Sequence, residues 1–116
     1  MDHESEGLGF TVRPACTDEW EAAMELCWRT FLKFEAPVYA EEGKENFLKF
    51  ISGNELYRMF LDGNYRVWVA VSNGKPVGVG SLRAGNHISL LFVDEKWHRR
   101  GIGTALVREM QRSIPE

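Results

Sequence analysis

Hydrophobic and polar positions divide the chain into stretches of different period. Over residues 8–13 (LGFTVR), Leu8, Phe10 and Val12 fall on one face, which predicts a short strand ended by Pro14. Thr17 is the expected N-cap of the next element, with Asp18 and Glu19 in a first turn where the helix dipole favours negative charge. Trp20, Met24, Cys27, Phe31 and Phe34 then recur at three- and four-residue steps. This predicts an amphipathic helix to about residue 34, with Pro37 beyond it. A second helix is expected from about residue 41 to 51, carrying Phe47, Leu48, Phe50 and Ile51. Ser52-Gly53-Asn54 reads as a break, residues 55–61 as a further short helical stretch, and Asp62-Gly63-Asn64 as a second break.

From Tyr65 onward the period changes. Residues 66–72 (RVWVAVS) have the valine and tryptophan content of a strand, and Asn73-Gly74 is a strong hairpin signal. Residues 75–83 return as the second arm, where Gly78 and Gly80 weaken the strand or permit a bulge. Gly85-Asn86 turns the chain again. The run from His87 to Val93 (HISLLFV) is nearly continuous in apolar residues, as expected of a central strand buried on both faces. A helix is expected at Gly101 or shortly after, with Ile102, Leu106 and Met110 on one stripe and Pro115 as its stop. The order is a strand, two or three helices, three strands joined by antiparallel turns, then a loop and a helix, which is a mixed α/β (α+β) arrangement.

Composition narrows the class. With 116 residues the chain has room for a single domain over 1–116, preceded by a polar, acidic tail at 1–7 expected to be flexible. A net charge of -3 argues against nucleic acid as a partner, since that role needs a broad basic face. There is neither an apolar run of membrane-spanning length nor a signal-like N-terminus, so no membrane partner is expected and the cytoplasm is the default location. Cys16 and Cys27 have no metal-ligand spacing; they read as reduced thiols packed in the core, and no metal site is expected.

The stretch from Leu90 to Leu106 (LLFVDEKWHRRGIGTAL) carries the chemistry. A strand ends at Val93 and a helix is entered through a basic, glycine-containing turn. N–H groups at a helix start lack intrahelical acceptors and sit at the positive end of the dipole, and glycines let a phosphate approach them. No P-loop string is present. A dinucleotide fingerprint also fails, because Leu106 or Arg83 stands where a third small residue is needed.

What the turn does resemble is the acetyl-CoA signature of the GNAT (GCN5-related N-acetyltransferase) superfamily, [QR]-x-x-G-x-[GA]. It reads here as His98-Arg99-Arg100-Gly101-Ile102-Gly103, followed by Thr104-Ala105-Leu106. Leu91-Phe92-Val93-Asp94 upstream, Trp97 as the preceding aromatic, the Arg13-Pro14-Ala15 opening and the Asn-Gly hairpin extend the match. The departures are His98 for Gln or Arg and Glu95 for a common Pro; neither removes a backbone donor.

The resemblance implies a GNAT-like acyl-CoA N-acyltransferase fold with a central, mostly antiparallel sheet flanked by helices. It implies acetyl-CoA as cosubstrate, its pyrophosphate over Arg99, Arg100, Gly101, Ile102, Gly103 and Thr104. The pantetheine arm would lie along the backbone of Leu91, Phe92 and Val93. It also implies an amine-bearing small molecule or protein as acceptor, attacking the thioester directly in a ternary complex while a main-chain N–H near Leu91 stabilises the oxyanion. His87 is a candidate base, judged to share a face with Ser89, Leu91 and Val93, and Glu35 and Tyr39 are candidates for the acceptor wall. In the family the last helix is followed by a strand, a helix and a hairpin. The domain is therefore expected to be incomplete at its C-terminus, and a non-catalytic module binding CoA or a partner protein is the alternative reading. An unpaired edge on the His87–Val93 strand predicts a homodimer, strand exchange or marginal stability.

Overall fold

In the computed structural model, which describes residues 9–35, 38–84 and 86–115, strand β2 (Tyr65–Ser72) divides the core in two. Successive side chains of a strand point to opposite faces. Tyr65, Val67 and Val69 enter one apolar cluster and Trp68 and Ala70 the other. The Asn73-Gly74 turn forms as expected, both residues with positive φ, and strand β3 (Lys75–Arg83) returns along β2. With β1 (Thr11–Pro14) and β4 (His87–Val93) this makes a four-stranded antiparallel sheet of order β1-β2-β3-β4.

Three helices cover one face: α1 (Trp20–Phe34), α2 (Glu41–Ser52) and α3 (Asn54–Asp62). Ala23, Leu26 and Cys27 of α1, Ile51 of α2 and Leu56 of α3 pack there with Val79 and Leu90. Helix α4 (Ile102–Arg112) covers the other face through its stripe of Ile102, Leu106 and Met110, all buried. Gly78 and Gly80 of β3 let it approach. A Cβ at Gly78 would lie 2.6 Å from Ile102 Cγ2, and one at Gly80 would lie 2.8 Å from Met110 Cε. The bulge expected in β3 falls at Val77: Ala70 pairs with Gly78 and Val71 with Pro76, so Val77 is left over.

Several expectations are corrected. Among the described residues β4 is at the edge of the sheet, as its expected unpaired side implies, but it is not buried on both faces; only Leu90 is buried, and Ile88 and Leu91 are each 42% exposed. Its apolar run reflects packing on both sides of a sheet edge, which hydropathy alone does not distinguish from a centre. A second bulge lies at Ser89, since Ser81 pairs with Leu90 and Leu82 with Ile88. The extra residue reverses the alternation, so His87 lies on the face of Leu90 and Phe92, opposite Leu91 and Val93.

Thr17 does not cap α1. Residues Thr17–Glu19 form a 3-10 turn, and the Glu19 carboxylate accepts the Cys16 N–H at 2.7 Å and the Arg13 guanidinium at 2.8 and 2.9 Å. Asn54, read as part of a break, is the first residue of α3, with Gly53 alone as the interruption. Cys16 is exposed, whereas Cys27 is in the core, where burial pushes its thiol pKa up. Leu8 and the 1–7 tail, Pro37 and Gly85 lie outside the described residues. None of the described helices is long and apolar enough to cross a membrane.

Candidate functional site

The end of β4 is fixed before the glycine turn begins. Asp94 donates its N–H to the carbonyl of the bulged Val77 at 2.9 Å, and its carboxylate accepts the Lys96 N–H at 2.9 Å. That bond caps a short 3-10 turn, Glu95–Trp97. Arg29 and Lys33 of α1 reach across to Asp94 and Glu95, at 3.1 and 2.7 Å. The two carboxylates that lead into the turn are thus matched by cations from another element.

Trp97 packs into the α4-side core, with the Arg100 guanidinium 4.6 Å above its ring. The chain then takes two left-handed residues, Arg99 at φ 65° and Gly101 at φ 82°. The second is expected of glycine; the first is uncommon for a side-chain-bearing residue and marks a turn held in shape by its surroundings. Gly101 caps α4, its carbonyl accepting the Ala105 N–H at 3.0 Å.

The N–H groups of Ile102, Gly103 and Thr104 have no backbone acceptor among the described residues, and no side chain caps the helix. Its first turn also carries no acidic residue, whereas α1, α2 and α3 each have one or two there. Unpaired donors, an uncompensated dipole and flanking arginines together make a turn suited to an anion.

These N–H groups adjoin a cavity of about 580 Å³ between α4, β4 and the end of α1. Asp94 bonds toward β3, so by the two-residue period of an antiparallel strand the backbone groups of Leu91 and Val93 face the free edge. Leu91, Phe92, Val93, Arg99, Gly101, Ile102, Gly103 and Thr104 all line this cavity, and Glu35 joins them from the end of α1. Three expected residues do not. Arg100 is turned onto Trp97, and Tyr39 stacks on Phe31 with ring centres 5.3 Å apart. His87 is exposed at the far end of β4, about 13 Å from Leu91 at the usual strand rise.

Sequence reasoning misses Thr30, Phe34 and the side chain of His98 as part of this wall. Phe34 falls on the core stripe of its helix by period, yet it is 47% exposed. Its position in the last turn, next to a glutamate, is the available signal. The His98 ring bonds the Val93 carbonyl through Nε2 at 2.9 Å and lies 5.1 Å from the Phe34 ring centre. Beneath the Ser89 bulge, the Tyr65 hydroxyl meets Ser81 Oγ at 2.7 Å and donates to Ser89 Oγ at 3.1 Å. Burial raises the Tyr65 pKa.

A larger cleft, about 640 Å³, lies between α1 and the α2–α3 elbow. Asp18, Glu21 and Glu25 line it and, among the described residues, no Lys, Arg or His does, so it suits an anionic ligand less well than the glycine turn.

Similarity to known proteins is found in both sequence and fold. The family model for the acetyltransferase (GNAT) domain matches residues 35–116. The uncharacterized N-acetyltransferase YafP of Escherichia coli (strain K12) is 43% identical over 51 residues, 44% of this chain and 33% of the relative, so the match spans a third of that protein. Among solved structures, a GCN5-related N-acetyltransferase from Rhodopseudomonas palustris superposes with a TM-score of 0.73 at 24% identity, over 88% of this chain and 63% of that one. The PaiA N-acetyltransferase of Thermoplasma acidophilum, solved in complex with coenzyme A, gives 0.73 at 15% identity, over 89% and 70%. Apo YjaB of Escherichia coli gives 0.63 at 26%, over 92% and 67%.

Proposed function

The chain belongs to the GNAT acetyltransferase family, and on that premise we propose that it transfers an acetyl group from acetyl-CoA to a primary amine of a small molecule or protein. The observation that carries the reading is the start of α4, where three unpartnered N–H groups adjoin the free edge of β4 across one cavity. The residues fit the group. Nothing lies within 4 Å of a Cβ at Gly101, and a Cβ at Gly103 would meet only Val93 Cγ2, at 4.0 Å, so both glycines leave the turn open. In this reading Arg99 to Thr104 hold the pyrophosphate, chiefly through main-chain N–H groups, and the arm follows Leu91 to Val93.

Acetyl-CoA supplies an activated carbonyl as a thioester. The chain's part is to hold that carbonyl against the amine, which accounts for much of the rate in a direct transfer. The outward N–H near Leu91 serves as the oxyanion donor. Glu35, half-buried on the same wall, places the positively charged acceptor by charge pairing. The bound ammonium first gives a proton to water; the neutral amine nitrogen then forms its bond to the carbonyl carbon, the carbon–sulfur bond breaks, the nitrogen loses a second proton to water, and the departing thiolate takes one up. His87, remote from the cavity and on the opposite face from Leu91, fits the role of direct base less well than water does.

Binding without transfer is the alternative outcome. Titration calorimetry with CoA followed by thiol release from acetyl-CoA over a panel of amines tests both. Binding with sustained thiol release is expected. Binding without release for any amine would leave the non-catalytic module, and no binding of CoA at millimolar concentration would overturn the reading altogether.

A further inference from the structure

We propose that His98 is a positioning residue for the acyl donor, fixing the glycine turn to the free edge of β4; this rests on the reading of the site as a CoA site. The Val93 carbonyl is the last outward acceptor of the strand, and no strand pairs that edge among the described residues. His98 Nε2 takes it at 2.9 Å. A carbonyl only accepts, so Nε2 carries the proton and the tautomer is set by this bond. Phe34, the last residue of α1, lies against the ring, so three elements meet at one imidazole: the end of α1, the end of β4 and the turn leading to α4.

The turn needs an external hold. Arg99, the next residue, has φ 65°, a conformation the chain does not favour unaided. Trp97 anchors the turn to the core beneath α4 but has no bond to the outer edge of β4. His98 supplies that second anchor. A ligand touching only the turn gains nothing from the distance between turn and strand. A ligand that spans both gains from having that distance set beforehand, because the ordering cost is met before binding. The sequence feature behind this is the family's first signature position, where His replaces Gln or Arg. The replacement keeps a donor able to reach the carbonyl.

The test compares two ligands and two variants by titration calorimetry, with thermal unfolding confirming the fold of each. CoA spans strand and turn; adenosine 3′-phosphate 5′-diphosphate carries the same pyrophosphate without the pantetheine arm. His98→Leu is expected to weaken CoA about fivefold, the worth of one hydrogen bond, and the shorter nucleotide less than twofold. His98→Gln, whose amide N–H can take the same carbonyl, is expected to restore CoA to within about twofold of the native chain. Should the His98→Leu variant fail to fold, His98→Asn makes the same comparison with an amide too short to reach. Equal weakening of both ligands, an unchanged CoA affinity or failure of Gln to restore it would overturn the proposal. If the native chain bound neither ligand, the site reading itself would fall and the clamp with it.

Discussion

Gly101 and Gly103 stand two residues apart and do different work. Gly101 has φ 82°, where any side chain is strained, so it shapes the turn. Gly103 is helical, and a Cβ there would meet only Val93 Cγ2 at 4.0 Å; a longer side chain would extend into the cavity. Gly103→Leu therefore separates folding from binding. Leucine is the better helix former by roughly 0.5–1 kcal/mol, so stability is expected to hold or rise. CoA affinity measured by calorimetry is expected to fall at least tenfold. An unchanged affinity in the folded variant would remove the α4 start from the site.

Glu19 makes a separate residue-level prediction. Its pKa is lowered to about 2, first by the hydrogen bonds from Arg13, then by the Cys16 N–H, with burial opposing both. A carboxyl depressed in the folded state adds stability that is complete above its unfolded value, near 4.3, and is lost as pH falls toward 2. Denaturant titrations should show that loss in the native chain. Glu19→Gln should cost about 1–2 kcal/mol at pH 7, allowing for the exposed side of Arg13, and should flatten the profile between pH 5 and 2. An equally steep acid limb in the variant would mean that other carboxylates govern it.

Among the elements, α4 depends most on its neighbour. It rests on two glycines of β3, so the strand rather than the helix sets where the anion turn stands. Gly78→Val is expected to destabilise by about 1–3 kcal/mol through overpacking against Ile102, and to weaken CoA binding beyond that by shifting the first turn. Chemical denaturation alongside calorimetry checks this. Full CoA affinity in Gly78→Val would show that the turn is not positioned by β3.

What is legible in the sequence follows the range of the forces involved. The Asn73-Gly74 hairpin and the Ile102-Leu106-Met110 stripe depend on local geometry, and both stand where expected. The Ser89 bulge depends on register with β3, which no local period encodes. That is why periodicity puts His87 on the wrong face. The capping role expected of Thr17 fails for a similar reason: Glu19 finds Arg13 six residues away and folds back. At the site, the glycine turn is visible as a motif, whereas the His98 contact requires the end of β4 to be in place.

For the whole molecule, two cores on either side of one sheet meet at β4, and the cavity opens where that sheet ends. Ile88 and Leu91 are exposed on this edge, and we propose it as a surface for self-association. Sedimentation is expected to show concentration-dependent association that Ile88→Lys suppresses; a native chain that stayed monomeric at high concentration would argue against it. The central claim, that the start of α4 and the edge of β4 form one donor site, is tested most directly by amide-resolved NMR during titration with CoA. Shifts are predicted to concentrate at Ile102, Gly103 and Thr104 and at Leu91 to Val93, leaving the acidic cleft around Glu21 and Tyr57 unmoved. Shifts confined to that cleft, or none at millimolar CoA, would contradict the account.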